Sequence, residues 1–80
     1  MENTTLAGLG VGNDAIVRGV SGEPALCARL LDLGFVRGTR VRVLSASRGV
    51  LRVRIRSCDL SLRSATAAMI NVAAVKNKDI

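Results

Sequence analysis

Arg40-Val41-Arg42-Val43-Leu44-Ser45-Ala46-Ser47-Arg48-Gly49-Val50-Leu51-Arg52-Val53-Arg54-Ile55-Arg56 is the stretch that decides the fold. At both ends of it polar and apolar residues alternate with a period of two, the pattern of a strand with one face on a core and one in water. Ser45 to Gly49 has the length of a hairpin connection. Two antiparallel neighbours are therefore expected. Their outward residues are all arginine: Arg40 and Arg42 on the first, Arg52, Arg54 and Arg56 on the second. If the strands pair, these five guanidinium groups share one outer face.

Toward the C-terminus, Ser57-Cys58-Asp59 reads as a turn, after which Leu60 and Leu62 resume the alternation. Ser64 is placed to cap a short helix containing Ala65, Ala67, Ala68 and Met69, and Ile70 to Val75 reads as a last strand. Toward the N-terminus, Gly38-Thr39 makes a turn. Before it, Leu26, Leu30 and Leu33 recur at i, i+4 and i+7 with Cys27 beside them, the apolar stripe of an amphipathic helix over Glu23 to Leu33. Ser21 or Gly22 is expected to cap this helix, Pro24 suits its first turn, and Gly34 suits a left-handed close. Asp14 to Val20 is rich in β-branched residues and reads as the first strand, while Met1 to Thr5 and Lys76 to Ile80 are expected to fray.

These elements make one mainly β domain over residues 1–80, with its core at about residues 6–75. About five antiparallel strands would form a small closed or nearly closed barrel, with one helix after the first strand and another before the last. Eighty residues allow no second domain, and 49% hydrophobic content is enough to fold one. The three leucines and Leu62 are core positions, and Gly34 and Gly38 are turn glycines. Gly8-Leu9-Gly10-Val11-Gly12 imitates a dinucleotide fingerprint but follows no strand, opens no helix and lacks the third glycine at the required spacing.

Composition removes several functions. Phe35 is the only aromatic residue, so neither an aromatic groove for proline-rich peptides nor a stacking platform for bases can be built. There is no histidine, no clustered pair of carboxylates and no phosphate loop, which leaves no enzyme reading. Cys27 and Cys58 stand 31 residues apart without other soft ligands near them, so no metal site or cofactor is expected on one chain. No apolar run reaches the roughly 20 residues that span a bilayer, and no leader precedes the domain, so a cytoplasmic location with reduced thiols is expected. The net charge of +6, carried by ten arginines and two lysines against six acids, fits an acidic protein, nucleic acid or an anionic surface.

The run Arg29-Leu30-Leu31-Asp32-Leu33-Gly34-Phe35-Val36-Arg37-Gly38-Thr39-Arg40-Val41, followed by Leu60-Ser61-Leu62-Arg63, Ala67, Ile70 and Val72, resembles the FeoA family. That family's pattern is an Arg-Leu-x-x-Leu-Gly helix end, a glycine before the next strand, and Leu-Arg leading into a short helix and an Ile-x-Val strand. The resemblance runs from about Leu6 to Val75. It departs at Arg37, where proline is frequent, at Ser57, where glycine is common, and in the loop 45–49, which lacks a proline turn. The resemblance implies an SH3-like barrel, found alone or at the C-terminus of iron-dependent repressors. It implies a small accessory protein of ferrous iron uptake acting on the cytosolic GTPase part of the membrane transporter FeoB, and so lying at the inner face of the membrane through that partner, without a small-molecule substrate.

Two roles compete for the arginines. Arg40, Arg42, Arg52, Arg54 and Arg56 could dock on an acidic face of such a partner, or they could contact phosphates of nucleic acid, for which the chain lacks both stacking residues and a recognition helix. A solubilising surface that discourages edge pairing is the plain alternative. Arg63 is expected either to pair with Asp32 or Asp59, pinning the second helix, or to face a partner.

Overall fold

The computed structural model describes residues 2–75. Six strands form one antiparallel sheet: β1 (Glu2–Thr5), β2 (Asp14–Val20), β3 (Arg40–Ser47), β4 (Val50–Ile55), β5 (Cys58–Arg63) and β6 (Ile70–Val75). Their order across the sheet is β1-β6-β2-β3-β4-β5, so β1 and β5 are the edges and the ladder does not close. A 3-10 turn (Leu6–Gly8) follows β1, helix α1 (Pro24–Leu33) follows β2, and one turn of helix, α2 (Ser64–Ala67), follows β5.

The alternation at residues 40–44 and 50–55 becomes two strands whose inward residues Val41, Val43, Leu51, Val53 and Ile55 are buried, while the arginines between them are exposed. The sheet curls over these side chains, and Leu6, Val17, Phe35 and Ile70 complete the core. Two bulges interrupt the ladders, between Val17 and Gly19 on β2 and between Val43 and Ser45 on β3, and they tighten the local twist.

Several expectations are corrected. Residues 2–5 do not fray: they pair with β6, Glu2 opposite Ala74 and Thr5 opposite Asn71, making a sixth strand. The segment is polar and carries no alternation, and its pairing rests on backbone hydrogen bonds, which leave no trace in side-chain type. Residues 76–80 lie outside the described residues. Neither predicted helix cap forms, since α1 starts from Glu23 and α2 from Arg63, neither with a side-chain cap bond. The turn after β4 is Arg56-Ser57, and Cys58 and Asp59 already belong to β5. Both turn residues have positive φ, 52° and 68°, as a two-residue hairpin demands.

Leu33 is not a core residue. Leu30 is 2% exposed and Leu26 is half-buried, but Leu33 is 49% exposed. The helix closes at Gly34, whose φ of 115° and N–H bond to the Leu31 carbonyl form a left-handed cap, and the next N–H, of Phe35, returns to the Leu30 carbonyl at 3.0 Å. This reversal swings Phe35 into the core, where it is fully buried, and leaves Leu33 on the rim.

Candidate functional site: an arginine face latched by two carboxylates

Register places the charged side chains in a row across four strands. Asp14 on β2 is opposite Arg42 on β3, Arg42 is opposite Arg54 on β4, and Arg54 is opposite Asp59 on β5. Two guanidinium groups thus stand side by side, an arrangement that repels by itself, with a carboxylate at each end of the row to offset it. Arg40 lies on β3 opposite Ile16 and reaches the same carboxylate as Arg42.

Asp14 is the hub. It is 5% exposed and accepts hydrogen bonds from both Arg40 and Arg42. Arg42 donates from Nε to Oδ1 at 2.5 Å and from Nη2 to Oδ2 at 3.1 Å, while Arg40 donates from Nε and Nη2 to Oδ2 at 3.3 and 2.9 Å. The Arg42 hydrogen bonds hold the Asp14 carboxyl below the usual carboxylate range; burial opposes them and Arg40 assists. At the other end, Arg54 donates from Nε and Nη2 to Asp59 at 2.8 and 3.3 Å, and this contact lowers the Asp59 carboxyl in the same way.

The arginines remain about half exposed, 58% for Arg40, 51% for Arg42 and 55% for Arg54. Each spends its Nε and Nη2 on a carboxylate, which leaves the donors of Nη1 without a protein hydrogen bond among the described residues. With Asp14 and Arg56 they line a concavity of about 210 Å³. Arg56 sits in the hairpin turn and not on the strand, its stem against Gly34. Arg52 lies one row further along, opposite Ser45 and Ser61.

The five arginines are thus brought to one side of the sheet, three of them latched and two, Arg52 and Arg56, without an ion pair among the described residues. The latch was missed because Asp14 is 26 and 28 residues from its partners, a separation at which only the strand register reveals contact. Leu62 is buried and Gly38 turns the chain into β3 with φ 94°. Arg63 pairs with neither Asp32 nor Asp59. It stands on the rim of a separate groove of about 480 Å³ between α1 and β5, with Arg29 on the facing helix and Leu26, Leu30, Leu33 and Leu62 between them.

Among the described residues, no three His, Cys, Asp or Glu side chains gather as a metal site would require, and no helix is long and apolar enough to cross a membrane. Residues 4–74 match the FeoA domain model. The chain belongs to the FeoA family. FeoA-domain proteins are regulatory or accessory rather than catalytic, and the family is one of ferrous iron transport. Its solved relatives include the FeoA protein of Chlorobium tepidum, 31% identical, with TM-score 0.81 over 95% of this chain and 74% of that one. The zinc-complexed FeoA of Stenotrophomonas maltophilia, a procaryotic SH3 domain protein and candidate ferrous iron transport activating factor, is 29% identical, with TM-score 0.77 over 86% and 88%. A manganese-dependent transcriptional repressor is 25% identical, with TM-score 0.83, over 91% of this FeoA-family chain but only 42% of the repressor. No match was found among curated proteins. The open, strongly curled sheet is therefore the SH3-like FeoA fold.

Proposed function

We propose that this FeoA-family chain is an accessory protein of ferrous iron uptake that works by binding the cytosolic GTPase part of a FeoB-like transporter through the arginine face of β3 and β4. The observation that carries the reading is the latch. Asp14 and Asp59 hold Arg40, Arg42 and Arg54 in fixed positions, so their remaining donors meet a partner with little rotamer entropy left to lose. Planar guanidinium groups suit carboxylates on the facing surface. The same face could grip phosphates, and nucleic acid is the competing partner for it.

The latch also dictates the test. Arg42 cannot be reversed without setting a new carboxylate against buried Asp14, so a loss of binding would be confounded with a loss of fold. Arg52→Glu with Arg56→Glu changes the charge of the face and leaves all three ion pairs in place. The double variant should bind the isolated transporter GTPase domain at least about tenfold more weakly, with a salt dependence shallower than that of the unaltered protein. Unchanged transporter binding accompanied by loss of DNA or RNA binding would favour the nucleic-acid reading.

A further inference from the structure

The arginine face leaves the opposite feature of the sheet, the outer edge of β5, without a role. Among the described residues no strand lies beyond β5. Its phase can be read from the β4–β5 register, in which paired residue numbers sum to a constant, as in Val50 opposite Arg63 and Ile55 opposite Cys58. The Ser64 N–H donates to the Gly49 carbonyl at 2.8 Å, which continues this register and fixes the even-numbered residues as those bonded to β4. The backbone N–H and C=O groups of Asp59, Ser61 and Arg63 therefore point outward.

Edges are usually blunted by proline, lysine, a bulge or a covering segment. β5 has none of these: its sequence is Cys-Asp-Leu-Ser-Leu-Arg, and its ladder with β4 runs all six residues without a register shift, unlike those of β2 and β3. The Asp59 side chain, which could guard the edge, is drawn back onto Arg54. Beside the edge lies the 480 Å³ groove, with an apolar floor of Leu30 and Leu62, an exposed Leu33 at its lip and one arginine on each wall, Arg29 and Arg63. The groove separates α1, which contributes Leu26, Arg29, Leu30 and Leu33, from β5, which contributes Ser61, Leu62 and Arg63.

We infer that the β5 edge is a strand-addition site for an extended acidic segment of a partner polypeptide. The segment pairs antiparallel or parallel with the outward groups of Asp59, Ser61 and Arg63. It drops alternate apolar side chains onto Leu30, Leu33 and Leu62, and it sets its carboxylates against Arg29 and Arg63. Two cations and no acid line the groove, which selects an acidic strand over a second copy of this chain, whose own β5 offers a single acid, Asp59, already held by Arg54.

The probe is a capped hexapeptide alternating valine with aspartate and glutamate, added to isotope-labelled full chain. Expected are chemical-shift changes centred on Asp59, Ser61 and Arg63, with slowed hydrogen exchange of those three amides. Ser61→Pro deletes one outward N–H and no bond to β4, a substitution that edge strands accept. It should keep a dispersed spectrum and lose peptide binding, whereas Ser61→Ala keeps it. Arg63→Glu should weaken binding at least about tenfold. Shift changes confined to the arginine face, binding unaffected by Ser61→Pro, or a concentration-dependent dimer whose contacts map to β5 without peptide would each overturn the inference. The peptide assay contains no transporter, and neither Arg52 nor Arg56 lines the groove, so the two proposals can fail separately.

Discussion

Asp14 shows how one side chain can tie the surface to the fold. Removing it by Asp14→Ala leaves Arg40 and Arg42 hydrated, since both are half exposed, so the cost is that of lost charged hydrogen bonds, about 1–3 kcal/mol by chemical denaturation. The pH dependence follows from the direction of the shift. The folded Asp14 carboxyl titrates below its unfolded counterpart, so its stabilisation is complete above the unfolded value of about 4 and is lost as pH falls through the lower, folded one. Asp59 acts in the same sense. Melting temperature should thus be level from about pH 5 upward and fall below about pH 4, with a shallower fall in Asp14→Asn. At Arg56 and Ser57 the opposite situation holds. Two residues with side chains occupy left-handed geometry, each at a cost of about 1 kcal/mol or more, where Asn-Gly would be relaxed. Arg56→Asn with Ser57→Gly should raise stability by about 1–2 kcal/mol while removing a cation from the arginine face.

Among the elements, helix α1 separates what periodicity can and cannot decide. Leu30→Ala should cost about 2–5 kcal/mol, since the side chain is buried, whereas Leu33→Ala should change stability by no more than about 0.5 kcal/mol. Equal losses at the two sites, measured by denaturant titration, would mean that Leu33 packs as deeply as Leu30. The i, i+4, i+7 stripe made the helix legible, but a stripe says nothing about where the helix turns away from the core, and that is set by Gly34 and Phe35. β3 and β4 were legible because each buries one face against the same core. β1 was not, because its partner is some 70 residues away and its side chains are polar. The Arg56-Ser57 turn hid for a related reason: the register of β4 on β5 imposes positive φ on residues that do not advertise it.

For the whole molecule, the charge census foretold a cationic face but not its internal carboxylates, which only the strand order β2-β3-β4-β5 brings beneath and beside the arginines. The same order keeps the thiols apart. Cys27 lies near the start of α1, its Sγ donating to the carbonyls of Val20 and Gly22, while Cys58 begins β5. Calorimetry of the purified monomer with Fe²⁺ or Zn²⁺ should therefore show no stoichiometric submicromolar site, and a tight one-to-one isotherm would require ligands that this arrangement does not gather. The pairing of β1 with β6 has one more consequence. Glu2 and Ala74 are cross-strand neighbours, about 5 Å apart at their Cα atoms, so the beginning and end of the described chain meet on one border of the sheet. A short glycine linker joining them, with the chain reopened between Arg48 and Gly49, should give a circular permutant with the same dispersed spectrum. Entry and exit at a shared border would let such a module be spliced onto another protein by a single stalk, leaving the far border, where β5 lies, turned outward.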